Sequence, residues 1–135
     1  MRLHRDASTH AIAHEVGHVI DYGLQNARAS GGSLDADFLN HTAALRKLAD
    51  YTCAHHETNS PDYVRRLQAQ ASTPTQKRNL RRLERHYENY VYSPDELFAR
   101  LVAVSFTEPD KAKAIAPAAY AWLQAALDGL YTEYV

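Results

Sequence analysis

Five prolines punctuate this chain, and each stands where a helix would begin or be divided. Ser60-Pro61, Thr73-Pro74 and Ser93-Pro94 set a capping side chain directly before a proline. The hydroxyl satisfies one of the orphan N–H groups of a first turn, and the proline lacks its own N–H where no partner is needed. Pro109 opens the C-terminal stretch in Glu108-Pro109-Asp110, and Pro117 divides that stretch into two helices. Between these marks apolar residues recur at helical spacing, no segment alternates convincingly, and no dipeptide signals a hairpin. The expected fold is all-α, a compact single domain over residues 1–135 with six or seven helices and room for a strand only at the extreme ends.

The first helix is expected from His10 to about Ala27, capped by Ser8 or Thr9, with Ile12, Val16, Val19, Ile20 and Leu24 as its apolar positions. The residues from Ala29 to Ser33 read as a loop. A second helix should run from Asp35 to about His56 and bury Phe38, Leu45, Leu48 and either Tyr51 or Thr52. Further helices start at Pro61, ending near Ala71, and at Pro74, ending near Tyr90 with Leu80, Leu83 and Tyr87 as its inner stripe. Ser93 and Glu96 have the spacing of a capping box, and the helix behind them carries Leu97, Phe98, Leu101, Val102 and Phe106. The last helix should end near Gly129.

Net charge is −1, so bulk electrostatics favour neither nucleic acid nor a membrane. No apolar run approaches the roughly 20 residues that span a bilayer, and MRLHRDASTH lacks the apolar centre of a signal peptide. A cytoplasmic location is expected, and delivery into another cell within a larger protein is compatible with it. Cys53 is the single cysteine, which rules out an internal disulfide and fits a reducing compartment. Its simplest role is that of a small buried residue.

Eight histidines in 135 residues is high, and three of them, His10, His14 and His18, recur every fourth position. In His14-Glu15-Val16-Gly17-His18 the two histidines are about 40° apart in azimuth on a helix, so both imidazoles reach one metal ion. Glu15, turned by about 100°, stands beside that ion, where a carboxylate takes the proton of an attacking water. Val16 should turn inward, and Gly17 leaves space for a neighbouring element. His10 continues the stripe and is expected at the surface or supporting a ligand from behind. A catalytic zinc ion needs a third protein ligand, and Asp95 and Glu96 in YVYSPDELFARL both qualify, each also explicable as a first-turn acid favoured by the helix dipole.

HEVGHVIDY together with YVYSPDELFARL resembles the glutamate-type H-E-x-x-H zincins. The likeness is to the anthrax lethal factor-like peptidases, and more so to the metallopeptidase domain of large polyvalent proteins of phages and mobile elements. That resemblance implies a zinc peptidase. His14 and His18 would be ligands, Glu15 the general base, and Glu96, in Glu96-Leu97-Phe98-Ala99, the third ligand rather than Asp95. Asp21 would support a ligand from behind, and Tyr90, or failing it Tyr92, would steady the oxyanion of the tetrahedral intermediate. The stretch DKAKAIAPAAYAWLQAAL is similar to the closing helices of the same group, whereas residues 28–85 match only in being helical. Arg100 stands where the lethal factor-like enzymes carry a glutamate, as it does in the polyvalent-protein group. Zincins also hold an extended substrate on an edge strand ahead of the active helix. The peptide or protein substrate is therefore expected to need another domain or chain to complete its groove.

The segment from Arg65 to Arg85 supports a different reading. Its Arg78, Arg81, Arg82 and Arg85 lie on the outer face of a helix and suit phosphate contacts, although a solvated helix face is the preferred explanation. On that reading the chain is a nucleic-acid-binding or interaction module with a structural or vestigial zinc. His55 and His56, at the end of the second helix, point about 100° apart and suit the helix dipole better than a second metal.

Overall fold

A computed structural model describes residues 8–26, 31–56 and 61–134. The order is α1 (Thr9–Asn26), α2 (Ala36–Leu39), α3 (Thr42–His56), α4 (Pro61–Gln70), α5 (Pro74–His86), α6 (Pro94–Thr107), α7 (Pro109–Ile115) and α8 (Pro117–Tyr134). A 3₁₀ turn at Gly32–Leu34 follows α1, and a π-helical turn at Tyr87–Val91 follows α5. No strand occurs among the described residues, and the fold is all-α.

Every proline is the first residue of a helix, from Pro61 to Pro117. Ser8 caps α1, its hydroxyl accepting from Ala11 N at 3.1 Å. Thr73 and Gln76 close a reciprocal capping box at the start of α5. The box expected at Ser93 and Glu96 does not form. The Ser93 hydroxyl instead donates to the Tyr90 carbonyl at 2.7 Å, and the Glu96 carboxylate turns toward α1, where it meets the imidazoles of His14 and His18.

Several boundaries differ from expectation for local reasons. The helix predicted from Asp35 to His56 is two helices. Asp35 caps α2 through Asp37 N and Phe38 N, and the Thr42 hydroxyl then takes up the Leu39 carbonyl at 2.5 Å as the chain turns into α3. The helix expected to reach Tyr90 changes to a π turn at Tyr87, with Tyr92 N bonding Tyr87 O at 2.9 Å. α8 runs past Gly129. Ala27, Ala29 and Ser30 lie outside the described residues, and Gly31 to Ser33 lead into and through the 3₁₀ turn.

The centre of the molecule is α6. Ten consecutive residues, Glu96 to Ser105, are buried, so this helix is covered on all sides rather than along one stripe. Phe98 meets Phe38 and Trp122, and α1, α3, α7 and α8 surround the helix. Phe106, expected inside, is half exposed. On α1 the inward face is His10, Ala13, Gly17, Asp21 and Leu24, while Ile12 and Val19 are exposed and Val16 and Ile20 are only half-buried. Around Gly17 large apolar residues lose the inner face because two helix backbones meet there, and small residues let them approach.

Gly17 marks the contact. A Cβ at this position would lie 2.8 Å from Ala99 Cα and 2.9 Å from the Ala99 carbonyl oxygen, both backbone atoms. Gly17→Ala is expected to lower stability by about 1–3 kcal/mol through overpacking. Gly23, on the same helix, has nothing within 4 Å of its virtual Cβ, so Gly23→Ala should gain about 0.5–1 kcal/mol from helix propensity. Urea unfolding of the two variants measures both; equal midpoints would contradict the close crossing.

Candidate metal centre

The α1–α6 crossing brings the H-E-x-x-H turn over the first turn of α6. His14 and His18 flank the inner face of α1, and Glu96 is three residues before Ala99. His14 Nε2 is 2.9 Å from Glu96 Oε2, and His18 Nε2 is 3.0 Å from Glu96 Oε1. The imidazole planes are 65° apart with centroids separated by 5.1 Å. One ligand atom from each of the three residues falls within a mutual span of 4.8 Å. Ligand atoms held about 2.1 Å from a tetrahedral zinc ion stand about 3.4 Å apart. The two histidine–carboxylate distances are about half an ångström shorter than that, and two imidazoles with a carboxylate suit zinc. Glu96 is 5% exposed, whereas its neighbour Asp95 is exposed to solvent. Burial and direction thus separate two acids that the sequence left equivalent.

Arg100, one turn after Glu96 and 1% exposed, donates from Nη1 to Glu96 Oε2 at 3.2 Å and to the Val91 carbonyl at 3.3 Å. Sequence reasoning noted this arginine only as a departure from a pattern. Its i,i+4 spacing from Glu96 was the available signal. Burial alone would raise the Glu96 pKa, but the hydrogen bond with His14 and the charges of His14, His18 and Arg100 outweigh it and hold the carboxyl below its ordinary value.

Glu15 is half-buried and borders two hollows. One, of about 230 Å³, is lined by His10, His14, His56, Tyr90, Glu96 and Arg100 among others. The second, of about 290 Å³, lies on the other side against His18, Val19 and Tyr22. Tyr90 is half exposed, stacks on His86, and lines the first hollow. Tyr92, four residues from Glu96, faces a different cavity, where its hydroxyl donates to Asp50 Oδ1 at 2.5 Å and Arg46 covers its ring. Burial and the Asp50 contact push the Tyr92 phenol far above its ordinary pKa. Of the two tyrosines, only Tyr90 lies beside the histidines.

Asp21 is buried, but its hydrogen bonds among the described residues go elsewhere. Its Oδ1 accepts from Ser33 N at 2.7 Å and from Gln25 Nε2 at 3.1 Å. It pins the 3₁₀ turn to α1, against Gly32, whose φ of +57° and virtual Cβ only 2.3 Å from Asp21 Oδ1 suit glycine alone. These hydrogen bonds run to the turn after α1 and to Gln25, not to His14 or His18. Arg78, Arg81, Arg82 and Arg85 are exposed on α5, which has no fully buried residue, and none of them lines either hollow.

His10 and His56 depart most from expectation. His10 is buried, not at the surface, and its ring lies against that of His56 with centroids 3.9 Å apart and planes 3° from parallel. His56 Nε2 is 2.9 Å from Glu108 Oε2, and the Tyr51 hydroxyl donates to Glu108 Oε1 at 2.6 Å. The hydrogen bonds from Tyr51 and His56 hold the Glu108 carboxyl below its ordinary range, and the same contact pushes the Tyr51 phenol up to about 12. Glu57 lies outside the described residues.

Comparison of the chain with protein-family models, with curated proteins and with solved structures finds no match in any of the three.

The depressed Glu96 pKa has a sign that can be tested. A carboxyl whose folded-state value lies below its unfolded value adds stability above the unfolded value, near 4.5, and that contribution is lost as pH falls through the lower folded value. In chelator-treated protein the urea midpoint should therefore drop below pH 4.5 more steeply for wild type than for Glu96→Gln. Parallel pH profiles would contradict the assignment.

Proposed function

We propose that this chain is a zinc-dependent peptidase of the glutamate-type H-E-x-x-H class, like those borne by phages and mobile elements, hydrolysing an amide bond of a peptide or protein. One observation carries the reading. His14 Nε2 and His18 Nε2 lie 2.9 and 3.0 Å from the two oxygens of one buried carboxylate, Glu96, with Glu15 on the same helical turn. His14, His18 and Glu96 would hold the zinc ion, whose Lewis acidity would acidify a water and polarise a carbonyl.

The chain's own groups do the rest. Glu15 accepts the proton of the attacking water and delivers it to the nitrogen of the leaving amine. Its place between the two hollows lets a substrate run from the Tyr90 side to the Val19 and Tyr22 side with the scissile bond over the turn. The Tyr90 hydroxyl, beside the first hollow, donates a hydrogen bond to the carbonyl oxygen as negative charge develops there. Arg100 keeps Glu96 anionic and fixed in direction. With no strand among the described residues, the extended substrate would be backed by another chain or domain, or by the helices themselves. The exposed arginines of α5 suit weak phosphate contacts outside the site.

The test is a peptide-library digestion with zinc-loaded wild type and Glu15→Gln. Wild type should cleave, and the variant should lose about 10²–10⁴-fold in rate while keeping its zinc. Zinc retention with no cleavage by wild type would overturn the peptidase reading and favour a nucleic-acid-binding or interaction module with a structural zinc.

A further inference from the structure

We propose that His10, His56 and Glu108 form a second site for a divalent transition metal, separate from that of His14, His18 and Glu96 and reached through the same hollow. One ligand atom from each of the three lies within 4.8 Å of the other two. They come from three places far apart in sequence: the first turn of α1, the last residue of α3, and the corner between α6 and α7. Two imidazoles and one carboxylate select zinc, cobalt, nickel or copper over magnesium or calcium, which prefer all-oxygen ligands.

Two features point to a built site rather than a chance cluster. Tyr51 donates to Glu108 Oε1 at 2.6 Å, leaving Oε2 directed at His56. Metal-ligating carboxylates are commonly oriented by such a donor from behind. The Glu108 side chain caps neither α6 nor α7, although the residue stands at the junction of both. Its carboxylate is thus committed to Tyr51 and the histidines rather than to closing a helix.

His10 and His56 also line the hollow of about 230 Å³ that His14, Glu15 and Glu96 border, which gives an ion a way in. The parallel His10 and His56 rings cannot both aim an in-plane lone pair at one point. Coordination by both would require one ring to turn out of the stack by rotation about its side-chain bonds. Metal uptake would therefore tie the start of α1 to α3 and to the α6–α7 corner, and would separate the two imidazole rings.

The inference does not rest on the peptidase reading, and one experiment separates them. Chelator-stripped protein is equilibrated with excess zinc, free zinc is removed, and zinc per folded chain is measured for wild type, Glu96→Gln, Glu108→Gln and His56→Asn, with circular dichroism confirming the fold of each. The expected result is two ions for wild type and one for each variant. In Glu96→Gln, added zinc should also raise the melting temperature, an effect absent when Glu108→Gln is combined with it. One ion in wild type, lost in Glu96→Gln and kept in Glu108→Gln and His56→Asn, would overturn the second site and leave the first. One ion kept in Glu96→Gln and lost in both of the others would support the second site and overturn the first.

Discussion

The approach of α1 to α6 at Gly17 and Ala99 is the constraint on which the rest of the structure depends. No side chain separates the two backbones there, and a Cβ on Gly17 would fall 2.8 Å from Ala99 Cα. Only at that separation do two histidines on the flank of α1 reach a carboxylate one turn earlier on α6. The core follows from the same contact. With α1 pressed on one side and α3, α7 and α8 on the others, α6 has no solvent face over ten residues.

Burying a carboxylate in such a helix is costly unless charge partners and hydrogen bonds replace its lost hydration. Glu96 has three partners, His14, His18 and Arg100, and their combined effect exceeds the burial penalty. Arg100 is the partner that stays charged at any accessible pH. It adds to the His14 hydrogen bond and the histidine contacts in holding the Glu96 carboxyl below its ordinary value. The cost of this arrangement is electrostatic. A cation placed among His14, His18 and Glu96 would be partly opposed by the nearby guanidinium.

Much of this was legible in the residues. Five prolines marked five helix starts because a proline at the first helical position loses nothing, and the four-residue spacing of His14 and His18 fixed their common direction. The choice of Glu96 over Asp95 was not legible from local sequence, since both are first-turn acids. It came from resemblance; what the structure adds is that Glu96 is buried against His14 and His18 while Asp95 is exposed. The inner face of α1 was misassigned because periodicity favours large apolar residues, whereas a close crossing selects Ala13 and Gly17 and leaves Ile12 and Val19 outside. The break between α2 and α3 depended on one hydroxyl, Thr42, capturing one carbonyl. The grouping of His10, His56 and Glu108 has no sequence signature at all, because three separate elements must fold before those residues meet.

The central claim is that one ion sits among His14, His18 and Glu96. Anomalous diffraction at the zinc edge from crystals of zinc-loaded protein tests it most directly. The account predicts a peak about 2.0–2.2 Å from Nε2 of His14, Nε2 of His18 and a carboxylate oxygen of Glu96. The three side chains pointing apart, with no anomalous scatterer between them, would contradict it.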